Sequence, residues 1–122
     1  MLYPLGAEGV GSLKTTVFSA ITLGADRTSV IVNKGGRNQV AIDLRVTQGG
    51  GSFDANGVFK ILAGDNAALV EADALASPES PVISAEGTVK LELKTGYPFI
   101  AVFWDYNSGG ADDTVTGTIT VS

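Results

Sequence analysis

The sequence predicts an all-β domain, an antiparallel β-sandwich of jelly-roll or immunoglobulin-like type, built from about eight short strands. Three observations predict it. Apolar residues recur at every second position in one segment after another. Those segments are short and are separated by turns rich in glycine and asparagine. Apolar spacing that suits a helix occurs in one stretch, residues 66 to 75.

The elements follow in chain order. Residues 1–13 read as an extended N-terminal arm ahead of one β-sandwich domain, residues 14–122. Tyr3-Pro4 and the glycines Gly6, Gly9 and Gly11 argue against regular structure there. Leu2, Tyr3 and Leu5 give the arm apolar side chains to dock with. Two readings stay open for it, a frayed terminus and an arm laid on a neighbouring subunit. TTVFSAITL, residues 15 to 23, puts Val17, Ile21 and Leu23 on one parity. TSVIVN, 28 to 33, is β-branched and short, and NKGGRN is a glycine turn.

QVAIDLRVT, 39 to 47, alternates throughout: Val40, Ile42, Leu44 and Val46 face a core, and Gln39, Asp43, Arg45 and Thr47 face water. QGGGSFDANG, 48 to 57, has the composition of a loop, and VFKIL is the next strand. Residues 63 to 81 allow either a short helix over 66–75 or a short strand around Leu69 and Val70. The strand is preferred, with Pro78 and Pro81 bounding a connection. VISAEG is a brief extended piece. TVKLELKT, 88 to 95, turns Val89, Leu91 and Leu93 inward. TVTGTITVS closes the chain with Val115, Ile119 and Val121 opposite a row of threonines.

YPFIAVFWDYN, 97 to 107, does not fit a strand with one wet face. Five of the nine aromatic residues lie between Tyr97 and Tyr106. Ile100, Val102, Trp104 and Tyr106 form one face; Tyr97, Phe99, Ala101, Phe103 and Asp105 form the other. One face belongs to the core. The other is covered by the chain itself, by another subunit, or by a sugar stacked on Trp104 and Tyr106. Several large apolar side chains left in water would make an adhesive patch.

The totals exclude several functions. The 122 residues carry 13 acidic and 8 basic side chains, for a net charge of -5. Eight scattered cations do not build a phosphate-binding surface, so no nucleic-acid partner is expected. No apolar run reaches the length of a membrane helix or a signal peptide, so the chain reads as soluble and as leaving a cell only by lysis or a non-classical route. Cysteine and histidine are absent, which removes disulfides, thiolate chemistry, the usual general base and the commonest metal ligands. Asp105, Asp112, Asp113 and Asn107 match no calcium-loop spacing, and the adjacent pair Asp112–Asp113 reads as a solvated hairpin tip. The lysines Lys14, Lys34, Lys60, Lys90 and Lys94 read mostly as solvated. No catalytic residue, cofactor or metal is assigned.

The stretch from VISAEG to the C-terminus resembles the ending of small β-sandwich virion proteins of tailed bacteriophages. Tyr97, Phe99, Ile100 and Val102 occupy a "Y-x-(F/Y)-I-x-V" core that leads through a Gly-rich loop into a closing Thr/Val strand, here Thr114 to Val121. Residues 44 to 61 resemble the upstream part of that layout. One position departs: Ala101 stands where an arginine often follows the isoleucine. The resemblance implies a non-enzymatic capsid decoration or cement protein. It would be made in the host cytoplasm, bind the outside of the virion head as an oligomer, often a trimer in such families, and clamp the major capsid protein. Leu2, Tyr3, Leu5, Tyr97, Phe99, Trp104 and Tyr106 are the expected subunit or lattice contacts. The alternative is a carbohydrate-binding or host-adhesion module that uses the aromatic strand.

Overall fold

The computed structural model describes residues 12–122. Nine β-strands lie among them: β1 (Leu13–Thr22), β2 (Arg27–Thr28), β3 (Val32–Asn33), β4 (Gln39–Thr47), β5 (Asn56–Gly64), β6 (Ala74–Glu79), β7 (Gly87–Lys94), β8 (Phe99–Ser108) and β9 (Thr114–Val121). One 3-10 turn, Glu71–Asp73, precedes β6. Leu13 opens β1, so the first strand starts one residue inside the expected arm. Leu2, Tyr3 and Leu5 lie outside the described residues.

The strands form two antiparallel sheets. One has the order β1-β9-β4-β7; the other has β2-β8-β5-β6, with β3 also on β8. β2 and β3 are two halves of one edge strand: Arg27 and Thr28 pair with Trp104 and Phe103, and Val32 and Asn33 pair with Ile100 and Phe99. Ser29 bridges the break. Its N–H donates to the Val102 carbonyl and its hydroxyl accepts the Val102 N–H, both at 2.9 Å. With β2 and β3 counted as one, nine strands become eight in two four-stranded sheets. Every connection except β5–β6 then crosses between sheets, which is the jelly roll.

The clean alternation of β4, β7 and β9 meets the alternation of β5 and β8 in one core. Val40, Ile42, Leu44, Val46, Val89, Leu91, Val115, Ile119 and Val121 come from the first sheet. Phe59, Ile61, Ile100, Val102 and Trp104 come from the second. Each large side chain so buried contributes roughly 1.5–3 kcal/mol. β1 departs from its simple reading. Two register shifts, between Thr16 and Phe18 and between Phe18 and Ile21, bring Phe18 into the core beside Val17.

Gly117 sits on the inward parity of β9, opposite Phe18 on one side and Leu44 on the other. A Cβ there would overlap Leu44 Cδ2 and lie 3.0 Å from the Asp43 carbonyl oxygen. Gly117→Ala is therefore expected to cost about 1–3 kcal/mol by overpacking. The check is the urea midpoint at unchanged slope. A variant as stable as the parent would mean that Leu44 yields freely.

The second face of β8 is covered by the chain itself. Leu62, Leu69, Ala101 and Phe103 form a second apolar cluster, flanked by Ile31, Ala74 and Phe99. The connection from β5 to β6 folds back over the sheet and seats Leu69 above Gly64, whose missing side chain leaves the room. The Asp73 carboxylate accepts the Val70 N–H at 2.8 Å and closes the turn that holds the cover in place. Residues 63 to 81 thus contain a strand, as preferred, but at 74–79 rather than around Leu69. Pro78 lies inside that strand instead of bounding it. β6 is an edge of its sheet, where a residue without an N–H is tolerated.

Candidate functional site

Among the described residues, the expected contacts Tyr97, Phe99, Trp104 and Tyr106 do not form one surface. Trp104 is 0% exposed. Its ring packs against Phe59 with centroids 4.7 Å apart, and its Nε1–H donates to the Leu23 carbonyl at 3.0 Å. It is a core residue, enclosed between the two sheets, which corrects its assignment as a subunit contact and as half of a sugar platform. Phe99 is partly buried at the rim of the second cluster. Tyr97 and Tyr106 remain exposed, at 43% and 36%. Tyr97 lies two residues before β8 and Tyr106 near its far end. Nine positions at about 3.3 Å each put them roughly 30 Å apart.

The two ends of the sandwich differ in what they expose. At one end lie the first residues of β1, the β3–β4 and β7–β8 connections, and the last residues of β9. Leu13 and Tyr97 are exposed there. Lys34 is buried at this end, against its expected place in water, with its Nζ donating to the Arg37 carbonyl at 2.7 Å. Desolvation holds its pKa below the ordinary lysine value.

At the other end lie the β1–β2, β4–β5, β6–β7 and β8–β9 connections. Asp113 organises them. It is 0% exposed, not the solvated tip expected from sequence. One carboxylate oxygen accepts the N–H groups of Asp54 and Ala55, each at 3.0 Å, and the other accepts that of Gly49 at 3.4 Å. Its own carbonyl accepts the Leu23 N–H at 2.9 Å. Asp54 in turn accepts the Gly110 N–H at 2.8 Å. Glycine is required at 110, where φ is +80° and a Cβ would lie 2.8 Å from the Leu23 carbonyl oxygen.

On this ordered end lies a shallow pocket of about 270 Å³ beside Tyr106. Val82, exposed, forms another wall. Its position is fixed because Gly57 and Ile83 exchange backbone hydrogen bonds, at 2.8 and 3.4 Å. Asn107 Nδ2 donates to Asn56 Oδ1 at 2.8 Å. Asp105 pairs with Lys60 at 2.9 Å. That hydrogen bond and the carboxylate's charge raise the Lys60 pKa above its ordinary value. The Tyr106 N–H donates to Asp26 Oδ1 at 2.9 Å. Tyr106, Asp105 and Asn107 were legible as candidates. Asn56 reads as turn chemistry and Val82 as plain extended chain, and no local signal marks either.

Among the described residues no group of three or more acidic side chains is placed to hold a metal ion, and no helix is long and apolar enough to cross a membrane.

No protein-family model matches the chain, and no curated protein matches it by sequence. Its fold has clear counterparts among solved structures. It is similar to the SPBc2 prophage-derived protein YomS, with a TM-score of 0.56 and 13% identity over 92% of this chain and 94% of that one. The infectious bursal disease virus VP2 subviral particle matches with a TM-score of 0.52 and 13% identity, over 91% of this chain and 32% of that one. The CBM36-1 domain of a multidomain xylanase from the hindgut metagenome of Trinervitermes trinervoides gives 0.51 and 4% identity, over 92% and 97%. At these identities the likeness is one of fold. The same two-sheet architecture serves a prophage-derived protein, a subviral particle and a xylanase module, so the fold by itself assigns no function.

Proposed function

We propose that the chain is a non-enzymatic virion accessory protein, a decoration or cement subunit that binds the outer head lattice of a tailed phage as a homo-oligomer, a trimer in our reading. The observation that carries this is the exposure of Leu13 and Tyr97 together at one end of the sandwich. Two large apolar side chains exposed at one end suit attachment to a neighbour better than they suit a free monomer. The sequence resemblance to phage virion proteins and the fold shared with a prophage-derived protein and a VP2 subviral particle support the same reading.

The mechanism is mass action. A subunit that binds the expanded lattice and not the disassembled one stabilises the lattice by its binding free energy. Modest contacts repeated by symmetry add up through effective concentration. No proton transfer or nucleophile is required, which suits a chain without histidine or cysteine.

The test adds purified protein to empty expanded heads from the phage that carries its gene. The expected result is a trimer by native mass spectrometry and a raised melting temperature of the decorated heads. Tyr97→Ser and deletion of residues 1–11 each weaken attachment while the sandwich stays folded. A strict monomer that leaves head melting unchanged overturns the proposal.

A further inference from the structure

The pocket at the opposite end has no part in that attachment, and its chemistry points to a ligand of its own. We infer that the pocket beside Tyr106 binds one neutral pyranose ring, the terminal hexose of a glycan. The inference stands on the pocket and does not rest on the virion reading.

Four features carry it. The first is an apolar wall on a polar floor: the exposed ring of Tyr106 and the side chain of Val82 border a pocket whose other lining groups include Asn56, Asn107 and Asp105. A pyranose is amphipathic in the same way, with C–H groups on its faces and hydroxyls around its edge. The second is hydrogen-bonding capacity. The bond from Asn107 Nδ2 to Asn56 Oδ1 fixes both amides yet leaves the Asn107 carbonyl oxygen and the Asn56 amide N–H groups over. One acceptor and one donor side by side match a pair of adjacent hydroxyls, each of which both donates and accepts.

The third is charge. The one carboxylate in the lining, Asp105, is already paired with Lys60 at 2.9 Å, and no cation lines the pocket. An anionic sugar or a phosphate would meet no compensating charge, so the ligand is uncharged. The fourth is preorganisation. Asp26 holds the Tyr106 backbone and the Gly57–Ile83 pair holds the segment that bears Val82, so binding orders little that is not already ordered. Beneath the pocket Gly57 makes room for the buried Trp104 ring, from which a Cβ would lie 2.7 Å.

The experiment is an NMR titration of the intact protein with the methyl glycosides of glucose, galactose, mannose and N-acetylglucosamine, each to roughly 50 mM, a range that reveals millimolar sites. At least one glycoside is expected to shift the side-chain amide signals of Asn56 and Asn107 together with the Tyr106 amide. Tyr106→Ala and Asn107→Asp are each expected to weaken that binding about tenfold or more while the rest of the spectrum is preserved. Tyr106→Phe, which keeps the ring, retains it. No shift with any of the four, shifts that survive Tyr106→Ala, or a preference for a sialic acid glycoside over all of them would each overturn the inference. None of these outcomes bears on whether the protein attaches to a head lattice.

Discussion

Asp113→Asn is expected to lower the stability of the domain by about 3–5 kcal/mol, a large share of the total for a chain of this size. The carboxylate is fully buried, and its two oxygens accept backbone N–H groups from Gly49, Asp54 and Ala55. Hydrogen bonds to an ionised acceptor are worth roughly twice neutral ones. Asparagine keeps the shape but turns one acceptor into an N–H pair, which then faces donors. At least one backbone N–H loses its partner inside the protein, and the remaining bonds lose their charge. The loss is read from the urea midpoint, with Asp112→Asn as the control. Asp112 is the exposed neighbour, and its change should fall within about 0.5 kcal/mol of the parent. If Asp113→Asn costs under about 1 kcal/mol, the loops are held by something other than this carboxylate.

Trp104→Ala should cost a similar amount, about 3–5 kcal/mol, by a different route. The indole fills the space between Phe59, stacked at a tilt, and Gly57, whose lack of a side chain admits the ring. Alanine leaves a cavity that the sheets cannot close, and it strips the Leu23 carbonyl of its 3.0 Å donor. Trp104→Phe keeps most of the packing and removes the donor, so it isolates the hydrogen bond at roughly 1–2 kcal/mol. The two sites are coupled. Trp104 bonds the Leu23 carbonyl while the Asp113 carbonyl accepts the Leu23 N–H, so the double variant should cost less than the sum of the singles. Thermal melts and size-exclusion profiles of the parent, the three single variants and the double variant check both points. A Trp104→Ala chain that stays as stable as the parent but changes its assembly would return Trp104 to the role of a subunit contact.

How far the sequence reached depended on where each partner lies in the chain. β4, β7 and β9 were legible because one of their faces is wet, and that alone sets a period of two. β8 was legible as a strand but not in what covers it. Its second face is closed by Leu69, which belongs to a connection whose alanine-rich composition imitates a helix. Phe18 was missed because two bulges in β1 break the parity on which the reading relied. Asp113 was missed for a related reason. An Asp-Asp pair in a glycine loop looks solvated until a loop 58 to 64 positions away in sequence is folded onto it. The candidate site shares this property. Tyr106, Asp105 and Asn107 announce themselves in one stretch, whereas Asn56 and Val82 arrive from other loops and carry turn-like or featureless local sequence.

The broken edge strand has a consequence for how copies of this chain can coexist at high density. Of the four outermost strands, three cannot serve as a continuous template. β1 is bulged, and its Val17 carbonyl is taken by the Val30 N–H of the opposite sheet. β2 and β3 are separated by a gap, and β6 contains a proline. Only β7 runs long and unbroken, and there Lys90, Glu92 and Lys94 project into solvent. Runaway polymerisation by strand-upon-strand growth is thereby blocked on nearly every flank, and crowded molecules are left to meet through their tips and faces.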